Sequence, residues 1–379
     1  MRIVVAPDKF KGCLSAAEVA RAIEAGLRRA EPDAQIDSCP MADGGEGTVE
    51  ALVTATGGRF VFRRVIGPLP EMKVDARFGI LGDAATAVIE MSAASGLALL
   101  RTEDRDPMRT TTFGTGQLLM AAAQMGVSRI ILGIGGSATI DGGVGCAQAC
   151  GLPVILEGGE FVSPGEPLVG ADVERVVLIK HGRGSPIEKV RIDVACDVTD
   201  PLCGEGGAAA VYGPQKGATP AQIRQLDAAL MQLARRNGKL DQAKLRGAGA
   251  AGGLGFAMAA FFGATLNSGV EIVMDAVRLC DRLASADLCL SGEGTLDAQS
   301  FRGKTVGGVA RMCREIGVPC VVLAGRVDQK ADFLAQGVTA AFNIREEPIT
   351  LEESIKNAAE LISAAAEKLL RSRLGKRDD

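Results

Sequence analysis

The chain has 379 residues with 42 basic and 46 acidic side chains, and its 49 glycines amount to about 13% where folded proteins average ~7%. The absence of a G-X-Y period, the 15 prolines and the 47% hydrophobic content exclude collagen and disorder and leave a globular chain long enough for two domains. Near-balanced charge argues against a nucleic-acid-binding surface, and the single histidine, His181, excludes multi-histidine metal sites and leaves acid–base work to carboxylates and lysines.

The first element is a short β-branched run, Arg2 to Ala6, followed by the loop PDKFKGCL. Ser15 and Glu18 form a capping-box pair that predicts a helix through Arg29. A second strand is expected from Ala34 to Cys39, then the loop PMADGGEGT, then a helix from Thr48 to Gly57-Gly58. This alternation predicts a parallel sheet flanked by helices, in which ligands sit at the carboxyl ends of the strands. Residues 71 to 92 read as a hairpin turning at Gly82-Asp83. The βα rhythm returns at Asp287 to Leu290, followed by the loop SGEGTLDAQSFRGK, a helix Thr305 to Ile316, a strand Pro319 to Leu323, a short helix and a strand Thr339 to Asn343. A final helix, opened by Thr350 and Glu353, carries Leu351, Ile355, Ala358, Ile362, Ala365 and Leu369 at a spacing that predicts one buried face. The expected fold is α/β: a doubly wound, Rossmann-like parallel-sheet domain formed by residues 1–64 plus 285–379, with a second α/β domain, 65–284, inserted.

The ten cysteines have no CxxC pair and no repeated spacing, and Cys146 with Cys150 reads as two small residues on one helix face. They are expected to be reduced thiols in a cytoplasmic protein. The N-terminal MRIVVAPDK is too short in apolar residues for a signal peptide, and Leu254 to Leu266 is too short and glycine-broken to span a bilayer.

Two segments imitate dinucleotide fingerprints. GAGAAG, Gly247 to Gly252, does not follow a strand, and GIGGSA, Gly133 to Ala138, does follow one but runs on into TIDGG, where a helix should already be propagating. A P-loop is also excluded, because Ala298 stands where its first glycine should be. What the chain repeats instead is loops that combine glycine with Asp, Glu, Lys, Ser or Thr. Glycine brings backbone N–H groups close to an anion, lysine complements polyphosphate charge, and carboxylates hold magnesium or take a hydroxyl proton. The combination suits phosphoryl transfer from ATP to an alcohol. A nicotinamide-dependent dehydrogenase built on residues 133–138 and a non-enzymatic small-molecule-binding protein are the alternatives. Asp197 ends the strand VRIDVAC and points to a loop, which marks it as a functional carboxylate ahead of Asp193 inside that strand. Arg105 can pair with a substrate carboxylate or equally form an ordinary surface ion pair, and His181 reads as an exposed loop residue.

Taken together, the loops APDKFKGCLSA, PMADGGEGT, TTTFGTG, GIGGSATIDGG, ACDVTDPLCG, GPQKGAT, GAGAAGGLG, SGVEIV, GEGTLDAQS and GKT resemble the bacterial glycerate kinases of glycerate and glucarate utilisation, from end to end. Cys13, Ile140 and Thr295 depart from the family pattern, which has Ser, Asn and Arg there, and the region around His181 matches poorly. The resemblance implies a magnesium-dependent kinase of D-glycerate with two α/β domains and a ligand cleft between them, giving 2-phosphoglycerate; the residues themselves do not distinguish the two hydroxyls. The expected catalytic residues are Asp197 as the base, with Lys11 and Asp8. Arg105, Lys9, Asp43, Gly44 and Glu46 are expected to bind substrate. Gly135, Gly136, Ser137, Thr139, Lys216, Glu293 and Lys304 are expected to bind nucleotide, and Asp141 and Asp297 magnesium. Expected partners are D-glycerate and ATP, with a homodimer as candidate assembly, and neither nucleic acid nor membrane.

Overall fold

The structure is a computed structural model that describes residues 1–162, 165–180, 182, 184–328, 332–345 and 349–374. His181 lies outside the described residues. Among the described residues thirteen strands follow in chain order: β1 (Arg2–Val5), β2 (Gln35–Ser38), β3 (Arg59–Ile66), β4 (Lys73–Ile80), β5 (Thr86–Glu90), β6 (Arg129–Gly133), β7 (Val154–Leu156), β8 (Val176–Ile179), β9 (Arg191–Ala195), β10 (Thr265–Asn267), β11 (Leu288–Leu296), β12 (Cys320–Val327) and β13 (Ala340–Asn343). They belong to two compact units: residues 1–43, 50–58 and 270–379 in the first, 44–49 and 59–269 in the second. Sequence placed the divisions at 64/65 and 284/285. Residues 59–64 fall in the second unit because β3 pairs along its whole length with β4.

The first unit holds a five-stranded sheet in the order β13-β12-β11-β1-β2, with every pairing parallel. From β1 the chain moves outward to β2, and from β11 it moves outward the other way to β12 and β13. The direction of winding therefore reverses between β1 and β11, and in open parallel sheets the crevice at such a reversal is where ligands bind. One face of this sheet is packed by Ile3, Val5, Leu288, Leu290, Val321 and Leu323 against Val19, Ile23 and Leu27 of helix Ala16–Ala30 and Ile362 and Leu370 of helix Ala358–Leu374. Ser15 caps the first of these helices, its hydroxyl accepting from the Glu18 N–H while Glu18 accepts from the Ser15 N–H.

The second unit is built on a six-stranded mixed sheet, β10-β9-β6-β5-β4-β3. Strands β5, β6, β9 and β10 run parallel, and β3, β4 and β5 form the antiparallel meander that contains the expected hairpin. A small β7-β8 ribbon completes it. Among the described residues no helix is long and apolar enough to cross a membrane.

Two local expectations change. β11 continues to Leu296, so SGEGTL is strand rather than loop, held in register by β12 as far as Leu296 opposite Val327. The last helix is two helices, Leu351–Lys356 and Ala358–Leu374, broken at Asn357. The Thr350–Glu353 capping box forms, but Leu351 and Ile355 are exposed while Ala358, Ile362 and Leu369 are buried. The break turns the first helix away from the face that the spacing predicted.

Candidate active site

In the first unit, Asp8 follows β1, Asp43 follows β2 and Glu293 lies in the carboxyl-terminal half of β11. These are adjacent parallel strands, so their register gathers three carboxylates at one end of the sheet, at the winding reversal. The groups sense one another. Burial pushes the Asp8 carboxyl above its ordinary range, the neighbouring Thr305 hydroxyl draws it back, and the Asp43 charge adds to the rise. Burial raises Glu293 to about 7, with the Ser300 hydroxyl opposing, the Asp8 charge adding and the Lys304 charge opposing. Glu293 Oε1 is buried without a hydrogen-bond partner among the described residues. Thr305 opens helix Thr305–Ile316, so this carboxylate group faces a helix amino terminus, where anions are favoured.

Lys9 is half-buried, and Lys11 and Lys304 are exposed. Asp297 is spent on its own turn, its Oδ1 accepting from Gln299 N (2.7 Å) and Ser300 N (3.3 Å).

In the second unit the carboxyl ends of β5, β6, β9 and β10 share one edge. The loop after β6 exposes Gly135 and Gly136 and buries Ser137, Thr139 and Asp141. Lys216, arriving from the GPQKGAT loop, is 2% exposed and donates from Nζ to Ser137 Oγ and to the Thr139 carbonyl, both at 2.7 Å. Burial lowers its pKa to about 7, against the opposing charge of Asp141. Thr139 Oγ1 and Arg105 Nε are buried with no hydrogen-bond partner among the described residues. Arg105 sits beside the same lysine loop: a Cβ on Gly217 would collide with its carbonyl oxygen.

Asp197 is exposed two residues beyond β9, and its Oδ1 accepts from Gly269 N (2.9 Å) and Ser268 Oγ (3.3 Å). Asp193 is instead a buried structural carboxylate, bound to Arg129 Nε (2.7 Å), Arg191 Nε (3.0 Å) and Thr265 Oγ1 (3.1 Å). Gly44 adopts φ +87° against the end of β9, where a Cβ would lie 2.6 Å from that of Ala195; no other residue fits that backbone and that contact. Glu46, two residues on, is exposed.

Asp141 corrects an expectation. It is fully buried, with Oδ2 accepting from Thr112 N (2.8 Å), Thr112 Oγ1 (2.7 Å) and Gly145 N (3.3 Å), and Oδ1 from Gly143 N (3.0 Å). Four protein donors and full burial leave magnesium no open approach to it; it ties the loop to helix Val144–Ala149 and to Thr112. The dehydrogenase reading loses its basis here too, since the chain after Gly133 does not become helical until Val144. GAGAAG is a packing device. Gly252, at φ +65°, leaves no space for a Cβ against the Thr139 carbonyl, and its own carbonyl accepts from Gly142 N at 3.0 Å.

Comparison with known proteins gives this pair of strand-end sites a family. The model of the glycerate kinase family matches residues 3–374. The chain belongs to that family. A relative from Escherichia coli named glycerate 2-kinase is 44% identical over 374 residues, covering 97% of each chain. A Haemophilus influenzae glycerate kinase is 45% identical over 379 residues, covering 98% of each. The crystal structure of a Salmonella typhimurium LT2 protein, provisionally named glycerate kinase 2, aligns with a TM-score of 0.89 at 45% identity over 100% of this chain and 99% of that one.

Of the three departures from the family pattern, Ile140 is fully buried in the core of the second unit, Thr295 is exposed, and Cys13 Sγ lies 3.4 Å from the Ile355 carbonyl. Thr305 and Ser300 were missed as site residues. The signal for Thr305 is present, since GKT ahead of a helix places a hydroxyl at an amino terminus, but in that motif the sequence singles out only Lys304.

Proposed function

We propose that this kinase transfers the γ-phosphoryl group of ATP to the 2-hydroxyl of D-glycerate with magnesium as cofactor. The observation that carries the reading is the end-to-end likeness, at 44% identity, to a relative named glycerate 2-kinase. Placement in the cytoplasm accords with ten free cysteines.

Asp197 takes the proton of the reacting hydroxyl. Its exposure leaves it able to do so, and the Gly269 N–H holds one oxygen in place. Arg105 holds the substrate carboxylate: a buried guanidinium N–H without a partner costs about 1–3 kcal/mol, and a carboxylate is the ligand that removes that cost. Lys9, Lys11 and Lys304 balance phosphate charge, the last beside a helix amino terminus. Gly135 and Gly136 present backbone N–H groups to the nucleotide, with Ser137, Thr139 and Lys216 behind them.

The donor set that suits magnesium is Asp8, Asp43 and Glu293, hard oxygen ligands with one buried carboxylate oxygen unpartnered. When bound, magnesium supplies charge neutralisation to the phosphates. These three take the place of Asp141 and Asp297 in the magnesium assignment. The test is phosphorus NMR of the product from D-glycerate and ATP. Phosphate on the secondary oxygen couples to one proton and gives a doublet; phosphate on the primary oxygen gives a triplet, which would overturn the 2-position. No new phosphomonoester signal would overturn the activity.

A further inference from the structure

Cys289, Cys313 and Cys320 play no part in the site described above. They come from β11, from helix Thr305–Ile316 and from β12, and all three are 0% exposed. Cys289 and Cys320 are direct register partners on parallel strands. Leu288 and Leu290 face the helices Ala16–Ala30 and Ala358–Leu374, so strand alternation turns Cys289 to the opposite face, where Cys313 meets it. The three Sγ atoms all lie within 4.8 Å of one another. A three-coordinate centre bound about 2.3 Å from each sulfur sets the thiolates about 3.5 to 4 Å apart, the shorter spacing when it sits out of their plane, so the trio has only to draw in slightly to hold one.

We propose that Cys289, Cys313 and Cys320 form a three-thiolate site for a trivalent thiophilic metalloid of the arsenic(III) class. Three features select that class. Sulfur ligands favour soft ions. No histidine or carboxylate joins the group among the described residues, so the ion must be content with three ligands; a trivalent metalloid is, since its lone pair occupies the remaining direction. The site is closed to water, where net charge is costly. Three thiolates with a trivalent centre are neutral, whereas copper(I) leaves two negative charges and zinc(II) leaves one. The reaction with arsenous acid balances without an oxidant. Each S–H gives its proton to an As–OH, three As–O bonds break, three As–S bonds form, three waters leave and arsenic stays trivalent. Because the thiols are enclosed, uptake requires transient local opening of the fold around them.

The test uses the full, reduced chain incubated separately with arsenite, copper(I) and zinc(II), then desalted. The proposal expects one retained equivalent of arsenic, three sulfur neighbours in its X-ray absorption spectrum, and loss of that signature in Cys313→Ala and Cys320→Ala but not in Cys146→Ala. Arsenic-edge anomalous scattering from arsenite-treated crystals of the unaltered protein supplies the second measurement should those variants not fold, with a peak expected among the three Sγ atoms. Failure to retain arsenic, a peak elsewhere, a three-sulfur signature surviving in both variants, or retention of copper or zinc without arsenic would each overturn the assignment.

Discussion

The Lys216 ammonium lies 2.7 Å from the Ser137 hydroxyl, inside the second unit and out of contact with water. Burial lowers its pKa from 10.5 to about 7. Between those values the unfolded chain binds the proton and the native chain does not, so stability rises with pH from about 7 towards 10.5, with a slope of at most about 1.4 kcal/mol per pH unit. Lys216→Met removes this slope. Melting temperatures measured from pH 6 to 10 should rise for the parent chain, relative to the variant, as pH increases. The variant should also lose kinase activity, through loss of the group that positions Ser137 and the Thr139 carbonyl. A variant with the parent's pH dependence would show that the lysine is not buried as a strained cation.

Asp197 has two duties that one substitution can separate. Asn keeps an oxygen able to accept from Gly269 N but cannot take a proton. Asp197→Asn should therefore leave the melting temperature nearly unchanged and lower kcat by about 100-fold or more, the usual loss for a general base. Steady-state kinetics at saturating ATP and magnesium decides it. Most of kcat surviving would mean that another group accepts the glycerate proton.

Signals confined to a few neighbouring residues were legible in the sequence. Ser15 with Glu18 and Thr350 with Glu353 marked helix starts, and the βα alternation marked the parallel sheet, because capping and periodicity are local physics. Contacts between distant segments were not. Gly292 and Gly294 read as loop, yet pairing to β12 makes them strand. Lys216 lies in a glycine-bearing loop that reads as surface, and only packing against residues 137–141 buries it. A carboxylate among glycines, as in TIDGG, looks the same in sequence whether it receives backbone N–H groups or a metal ion; the fold alone assigned Asp141 to the former. The Cys289–Cys313–Cys320 trio has no recognisable spacing because strand register, not sequence distance, assembles it.

Asp141→Ala tests the structural assignment. The change strands the Thr112 N–H and hydroxyl and the Gly143 and Gly145 N–H groups, and it removes the negative charge that Lys216 feels. A buried donor left without its acceptor costs about 1–3 kcal/mol. Denaturant unfolding should show that loss, while the magnesium concentration giving half-maximal activity in the surviving folded protein should stay unchanged. A large rise in that concentration with stability intact would return Asp141 to the metal site.

Glu293 carries the opposite pH signature to Lys216. Its carboxyl is raised from 4.5 to about 7, so between those values the native chain binds the proton and the unfolded chain does not. The stabilisation is fully present below about pH 4.5 and is lost as pH rises through 7. Glu293→Gln keeps a neutral side chain at every pH and should therefore gain stability over the parent on going from pH 5 to pH 8, seen as a widening difference in melting temperature. Magnesium lowers the pKa of a carboxylate that binds it, because the cation favours the charged form. Added magnesium should therefore raise the parent's melting temperature at pH 7.5 and leave the variant's response much smaller. Equal magnesium responses in parent and variant would remove Glu293 from the ligand set, whatever its effect on kcat.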